Sequence, residues 1–415
     1  MTDADRPDAP AGAIQPSTAI TGPEGRPPVV LQVLPRLVGG GVERGAVDVA
    51  IALAEAGWGS LIASEGGPMV REILRHGARH IELPLAAKNP FTMRANVGRL
   101  ARLVVQHGVD IVHARSRAPA WSAEAAARRT GVHFVTTFHG TYSVGIGLKR
   151  YYNAVMGRGE RVIAISDFIA RHMVEVYRVD PARIRTIHRG VDVARFNPES
   201  VSKERIVDLA ARWNLPDDRR IILLPGRFSD WKGHALVIES LARLGRRDVL
   251  CIMVGADTAS EAYLERLTKL AAERKVTELL RFVDYWRDMP TAYMLSDVVL
   301  SAAIKPEAFG RTLAEGLAMG RPLVGPAHGG ALEIVDDRRT GWLFRPGNAE
   351  SMAAALHEAL ALDSLARAKL AAAGRRTVRA RFTKEHMCAG TLGVYAEVLG
   401  RAPAPAPVPA SSGAS

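Results

Sequence analysis

The sequence predicts an α/β protein made of two doubly wound domains that face each other across a cleft. Short runs that are apolar throughout recur along the chain, they alternate with helix-patterned segments, and the alternation comes as two successive series. Runs without polar alternation suit strands buried on both faces of a parallel sheet. Helical segments between them imply βαβ units.

The first series holds Val29–Leu34, Leu61–Ser64, Ile81–Leu83, Ile111–His113, Phe134–Phe138, Val162–Ile165 and Ile184–Ile187. The second holds Ile221–Leu224, Val249–Val254, Leu280–Val283, Val298–Ser301 and Leu323–Gly325. Between two of the early runs, Met93, Val97, Leu100 and Val104 keep helical spacing while Arg94, Arg99 and Arg102 lie elsewhere around the turn, the pattern of an amphipathic crossover helix. The break falls near Phe196-Asn197-Pro198, which gives a first domain over residues 29–198 and a second over 199–382, with a last helical segment at 383–400. Residues 1–28 are rich in Pro, Ala, Gly and Asp, and residues 401–415 carry Ala-Pro repeats, so both read as disordered tails. Ligands are expected in the cleft, at the carboxyl ends of the strands.

Bulk properties agree with two globular domains. The chain has 415 residues, enough for two cores. At 47% hydrophobic and 24% charged residues it has the composition of a soluble protein. No apolar run approaches the ~20 residues that span a bilayer. The stretch Met1-Thr2-Asp3-Ala4-Asp5-Arg6-Pro7 is acidic and lacks an apolar core, so a secretory signal is not expected. The two cysteines, Cys251 and Cys388, form neither a disulfide framework nor a zinc motif. Cys251 stands in an apolar run and reads as a small core residue. A cytoplasmic location is the expectation.

The net charge of +12 is unevenly spread. Residues 29–198 carry 23 Lys/Arg against 13 Asp/Glu, or +10; residues 1–28 carry 2 against 4, and residues 199–415 carry 30 against 26. A basic first domain can attract an anionic lipid leaflet, a phosphorylated acceptor or nucleic acid, or simply keep the protein in solution.

The densest chemistry lies at Glu307-Ala308-Phe309-Gly310-Arg311-Thr312-Leu313-Ala314-Glu315. The segment follows the run Val298–Ser301 and leads into a helical pattern from Thr312 to Met319, stopped by Gly320 and Pro322. Backbone N–H groups at such a helix start can bind phosphate. A carboxylate on either side can hold hydroxyls flanking a diphosphate; a loop Glu and a solvated helix Glu fit the spacing equally well. Gly39-Gly40-Gly41 lies between the first run and the pattern Gly45–Ala56, and permits close backbone approach to a phosphate or sugar. Its spacing is not that of a dinucleotide fingerprint, which argues against a nicotinamide oxidoreductase. In Gly226-Arg227-Phe228-Ser229-Asp230-Trp231-Lys232-Gly233, two cations follow a strand and suit a diphosphate leaving group. His139 follows Phe134–Phe138, where it can hydrogen-bond a sugar hydroxyl, although a lone His is more often structural. His113 is a second such candidate, and Arg115 and Arg117 after it can meet an anionic acceptor. Leu148-Lys149-Arg150-Tyr151-Tyr152, with Arg158 and Arg161 beyond, suits a membrane surface or a solvated helix with half-buried tyrosines.

Taken in order, these segments resemble a known family. Glu307 to Glu315 resembles the E-x7-E signature of retaining GT-B glycosyltransferases of the family 4 (glycosyl transferases group 1) type. Gly226 to Gly233 resembles their G-R-x4-K-G element, Gly39 to Glu43 their glycine loop, and Gly329-Gly330-Ala331-Leu332-Glu333 their G-G-x-x-E turn. Ile187-His188-Arg189-Gly190-Val191-Asp192 is similar to their N-G-[VI]-D hinge turn, with Arg189 where Asn is usual. The likeness covers roughly residues 29 to 400.

The resemblance implies two Rossmann-like domains, the first binding the acceptor and the second the nucleotide-sugar, with the last helix crossing back to the first. It implies transfer of a hexosyl group from a nucleotide-diphospho-sugar to an acceptor hydroxyl with retention at the anomeric carbon. It assigns catalysis to His139, Arg227, Lys232 and Glu307, and donor binding to Gly40, Gly41, Phe309, Gly310, Arg311 and Glu315. The acceptor side falls to His113, Arg115 and Arg117. No metal and no cofactor are expected, and no nucleic acid partner. The setting it suggests is lipopolysaccharide or cell-surface glycan synthesis, on an anionic glycolipid or glycan acceptor, with peripheral contact at the cytoplasmic face of the inner membrane. The alternative is a non-catalytic sugar-nucleotide-binding protein of the same fold.

Overall fold

The computed structural model describes residues 25–142 and 147–400. Of the two tails expected to be disordered, residues 1–24 and 401–415 lie outside the described residues.

The chain first runs β1 (Val29–Val33), α1 (Gly41–Glu55), β2 (Gly59–Ser64), α2 (Val70–Arg75), β3 (Arg79–Glu82), α3 (Pro90–His107), β4 (Ile111–Ala114), α4 (Arg117–Thr130), β5 (His133–Phe138), α5 (Leu148–Ala154), β6 (Arg161–Ala164), α6 (Asp167–Tyr177) and β7 (Ile184–Thr186). It continues with α7 (Lys203–Arg212), β8 (Arg220–Pro225), α8 (His234–Leu244), β9 (Val249–Val254), α9 (Glu261–Glu273), β10 (Leu280–Val283), α10 (Met289–Leu295), β11 (Val298–Leu300), α11 (Arg311–Ala318), β12 (Leu323–Pro326), α12 (Ala331–Ile334), β13 (Gly341–Phe344), α13 (Ala349–Leu360), α14 (Ser364–Arg381) and α15 (Lys384–Val398).

The strands form two sheets, one in the order β3-β2-β1-β4-β5-β6-β7 and one in the order β10-β9-β8-β11-β12-β13. Every strand pairing in them is parallel. This is the two-domain doubly wound architecture that the alternating runs predict. Each run named above becomes a strand, and β4 and β9 are buried along their whole length. Cys251 lies in β9, fully buried. The addition is β13, an edge strand hemmed in by turn residues at both ends, whose Trp342 and Phe344 point into the core.

Local signals define the helices. In α3 the Asn89 side chain accepts from Thr92 N at 2.8 Å, Pro90 opens the first turn, and Gly108 closes the helix at φ 56°. Strand order reverses between β1 and β4 in one sheet and between β8 and β11 in the other. Ligand crevices of doubly wound sheets open at such points, outside the carboxyl ends of the strands. The glycine loop after β1, the Arg227–Lys232 loop after β8 and the Glu307–Gly310 loop after β11 therefore all sit at a crevice.

The last helix returns to the first sheet. Helix α15 packs on α1 and β6 and buries Tyr395 completely. The Tyr395 hydroxyl meets His113 Nδ1 at 2.5 Å, and Glu397 pairs with Arg161 and Arg185. Its entry is fixed where Val191 N donates to Phe382 O at 2.7 Å and Lys384 N donates to Val191 O at 2.9 Å. Gly190 is required there, because a Cβ would lie 2.3 Å from Lys384 Cα. Replacing Tyr395 by Phe leaves His113 Nδ1 buried and unpaired, and should cost about 1–3 kcal/mol of stability in a denaturant titration. An unchanged midpoint would mean that the hydroxyl contributes nothing to seating the helix.

Candidate active site

A cavity of about 500 Å³ opens between the two sheets. Gly41, His139, Thr141, Ile165 and Arg189 line it from the first domain, and Trp231, Lys232, Lys305, Glu307, Phe309, Gly310 and Arg311 from the second.

The second-domain wall is set by two loops in backbone contact. Gly233 takes φ 80°, and a Cβ on it would lie 2.0 Å from Ala302 O, so the turn holding Lys232 is laid directly against the strand end below Glu307. Lys232 Nζ bonds the Glu307 carboxylate, and its ammonium lies 4.7 Å from the Trp231 ring centroid. Gly310 takes φ 94° and leaves the start of α11 without a side-chain cap. The first N–H groups of that helix are therefore available to an anion, in the field of its dipole. Phe309 turns its ring inward, 5.7 Å from that of Phe382, and presents backbone to the cavity.

The first-domain wall centres on Arg189. Its guanidinium donates to the Gly41 carbonyl and reaches His139 Nδ1 at 2.8 Å. The other ring nitrogen of His139 is buried without a partner among the described residues. Helix α1 starts at Gly41, so the glycine loop leads straight into its first turn, again without a side-chain cap. Arg189, Lys232, Lys305 and Arg311 line the cavity against the carboxylate of Glu307. Burial, with repulsion from Arg311 and Arg115, pushes the Arg189 guanidinium down to about 10. A surplus of fixed cations in a half-enclosed space attracts an anionic ligand.

Several of the predicted site residues thus converge: Gly41, His139, Lys232, Glu307, Phe309, Gly310 and Arg311. Others stand apart. Arg227 is exposed, because the next residue, Phe228, takes the inward position and stacks on His234 at 4.2 Å. Among the described residues Arg227 has no hydrogen-bond or ion-pair partner. Gly40 lies just behind the lining, where a Cβ would meet Glu43 Oε2 at 2.6 Å. Glu315 is 8% exposed, and its oxygens accept from Arg311 Nε at 2.7 Å and the Tyr293 hydroxyl at 2.9 Å. It sits behind the cavity as the support of Arg311. His113 is fully buried, with both ring nitrogens taken by Tyr395 and Thr137, and burial drives its pKa well down. Arg115 bonds Gln32 at 2.8 Å inside the core. Arg117 covers the Tyr142 ring at 4.3 Å and donates to Asn153. These three form the floor under the first-domain wall.

Glu333 acts at a distance from the cavity. Its carboxylate accepts from Asp167 N at 2.9 Å and Phe168 N at 2.8 Å, the first residues of α6, and lies 2.8 Å from His188 Nε2. Ser166 Oγ adds a bond to Ala308 O at 2.5 Å. These bonds join the second domain to the first. Among the described residues, Asp167, His188 and Glu333 also bring ligand-type atoms within 4.8 Å of one another. Both Glu333 oxygens accept from N–H donors of the first domain, so the group works as a clasp between the domains. The motif G-G-x-x-E carried the signal for Glu333, and the His188–Asp192 turn that for Arg189; neither showed that the residue would reach the other domain or His139.

Two facing doubly wound domains with a cation-lined cavity between them have the architecture of a GT-B protein. Glycosyltransferase Family 4 matches residues 39–195 and Glycosyl transferases group 1 matches residues 208–377. The glycosyltransferase of Rickettsia africae ESF-5 superposes with a TM-score of 0.84 at 37% identity, over 90% of this chain and 99% of that one. Anabaena HepE in complex with UDP-glucose gives a TM-score of 0.76 at 20% identity, over 88% and 99%. The D-inositol 3-phosphate glycosyltransferase of Salinispora arenicola is 28% identical over 93% of this chain and 89% of the relative. The enzyme of that name from Nocardioides sp. is 30% identical, and there the match spans 54% of the relative's length. The chain belongs to the GT-B glycosyltransferases, family 4 in its first half and group 1 in its second.

The clasp titrates. Burial alone would raise the Glu333 carboxyl, but bonds from His188 and from the Phe168 and Asp167 amides hold it below the ordinary 4.5. A depressed carboxyl favours the closed form fully above its ordinary value, and loses that effect as pH falls through the depressed one. Glu333→Gln should weaken closure by about 2 kcal/mol at neutral pH, seen as a larger radius of gyration in small-angle scattering. The difference from the unmutated protein should vanish in acid. An equal difference at all pH values would show that the charge plays no part.

Proposed function

We propose that the protein is a retaining, metal-independent hexosyltransferase that moves a sugar from a nucleotide-diphospho-sugar to a hydroxyl of an anionic acceptor. The observation that carries this is the Lys232–Glu307 pair set beside the uncapped start of α11 in a cavity with surplus cations. A diphosphate leaving group gains negative charge as the bond from C1 to its oxygen breaks. Cations and N–H dipoles fixed at that oxygen stabilise the transition state more than the ground state. The acceptor oxygen forms the new bond to C1 on the same face, and its proton passes to the departing phosphate oxygen. Glu307 holds sugar hydroxyls, and Lys232 and Arg311 hold the diphosphate. Arg311 is oriented by Glu315, which accepts from it and raises its pKa. Protein cations take the place a divalent metal would have.

HepE is known in complex with UDP-glucose, which favours a uridine nucleotide among the donors. The relatives named for D-inositol 3-phosphate favour a phosphorylated acceptor, and the basic first domain suits one. A lipopolysaccharide-core or other cell-surface glycolipid offers the same chemistry at the cytoplasmic face of a membrane. No helix among the described residues is long and apolar enough to cross one, so contact would be peripheral. The surface for it is the first turn of α5. There Leu148 is 89% and Tyr151 61% exposed, beside exposed Lys149 and Arg150. Arg158 and Arg161 do not contribute: Arg158 lies over Trp121 at 4.7 Å, and Arg161 pairs with Glu397.

Thermal shifts with UDP-, GDP- and ADP-sugars test the donor. A ligand at ~100 Kd contributes ~2.7 kcal/mol, so one nucleotide should raise the melting temperature clearly. Lys232→Ala should then lower kcat by roughly 100-fold or more on whichever acceptor is active. Binding without turnover on soluble inositol phosphates or vesicle-borne phosphoglycolipids would instead favour a non-catalytic sugar-nucleotide binder.

Flotation with vesicles tests the membrane surface. The protein should float with phosphatidylglycerol vesicles and not with phosphatidylcholine ones. Reversing both Lys149 and Arg150 to Glu should lower partitioning by about tenfold or more. Equal flotation of the variant would remove α5 from the account.

A further inference from the structure

Among the described residues, Arg189 is the hydrogen-bond partner of the His139 ring. Its Nη2 stands 2.8 Å from Nδ1, while Nε2 is buried and unpaired in a residue that lines the cavity. A guanidinium has N–H donors and no acceptor. Nδ1 can meet it only with a lone pair; a proton there would set N–H against N–H. The other titratable groups facing the ring are Arg115, which is charged, and His113, which burial keeps neutral, and Tyr142 lies beside them. Burial first, then the cations, hold the imidazole well below its ordinary 6.5, so that it is neutral at physiological pH. A neutral ring with a bare Nδ1 carries its proton on Nε2. A buried donor without a partner is costly to maintain, which points to a ligand atom as its complement.

We infer that Arg189 is a positioning residue that locks His139 as the Nε2–H tautomer, and that His139 serves the reaction as a hydrogen-bond donor to a substrate oxygen. The inference rests on the glycosyl-transfer reading above and deepens it. A ring held in this state gives no lone pair to the cavity, so it is not the base that takes the acceptor's proton. That proton is left to the departing phosphate. The lock is anchored from three sides. Arg189 also donates to the Gly41 carbonyl; His188 before it is held by Glu333; and Gly190 after it is pressed against Lys384. The turn that bears the lock is therefore the turn that the domain clasp grips.

Nitrogen spectra of the full-length protein with labelled histidine test this directly, with His139→Gln to assign the signal. The unmutated protein should show a bare Nδ1 and a protonated Nε2 that do not change between about pH 5.5 and 8. Arg189→Asn removes the cation, so the pKa of the ring rises toward its ordinary value, and an amide can present either a donor or an acceptor. The signal should then become a mixture of tautomers. Arg189→Lys keeps a cation and a pure donor, and should preserve the tautomer. In turnover, Arg189→Asn should lower kcat about 100-fold, with little change in KM; Arg189→Lys should recover most of the loss. A protonated Nδ1 in the unmutated protein, or an unchanged His139 signal in Arg189→Asn, would overturn the inference. The spectra decide it even if no nucleotide-sugar is turned over, so failure of the functional reading would be seen separately.

Discussion

The cavity takes Gly41, His139 and Arg189 from one sheet and Lys232, Glu307 and Arg311 from the other, so its chemistry exists only while the domains stay together. The Glu333 carboxylate at the start of α6 is a principal side-chain link between them, beside the Ser166–Ala308 bond. A carboxylate at a helix N-terminus gains from two amide bonds and from the helix dipole, and here His188 adds a third donor. The turn that carries Glu333 cannot move alone. A Cβ on Gly329 would lie 2.6 Å from Glu307 O, and one on Gly330 would lie 2.2 Å from Phe309 O. The clasp and the loop bearing Glu307 are in backbone contact and shift as one body. Closure is thereby tied to the placement of the groups that would meet a donor.

The same cavity is electrostatically unfinished. Arg189, Lys232, Lys305 and Arg311 face a space that holds the carboxylate of Glu307, and the guanidinium of Arg189 is pushed down by burial and by its cationic neighbours. Such crowding costs stability in the empty protein and is relieved by an anion. Glu315 limits the cost for Arg311: its i, i+4 position in α11 places it under the guanidinium. The signature's second carboxylate therefore works in this state by tuning a cation, with Tyr293 bracing it from behind.

Sequence patterns revealed the fold more fully than the site. Parallel strands buried on both faces leave continuous apolar runs, and those runs located the strands of both sheets up to β12. Strand β13 escaped because Gly341–Phe344 is short, lies at a sheet edge and is hedged by turn residues. Loop residues at the carboxyl ends of strands were legible from their glycines, since Gly233 and Gly310 mark turns that other residues cannot make. Side-chain direction within those loops was not. Arg227 and Phe228 are adjacent, and which of them turns inward depends on the stacking partner His234 at the start of the next helix. His113 reads like His139, a histidine at a strand end, until α15 brings Tyr395 onto it. Arg189 was visible only as a departure from a hinge turn; its contact with His139 is a tertiary fact with no local signature.

The return of α15 has a consequence for how the protein is made. His113 and Tyr395 are 282 positions apart, and the whole second domain is threaded between them. The second sheet is continuous in sequence and can mature as a unit. The first cannot: its helix-lined face stays open, with His113 missing a partner, until nearly all of the described chain has been synthesised. Long-range closure of this kind slows folding and prolongs the exposure of apolar surface. It also orders events, because the hinge strand at Val191 is pinned by the same segment that seats α15. A chain that lacks α15 therefore lacks the contact that closes the first domain behind the cleft.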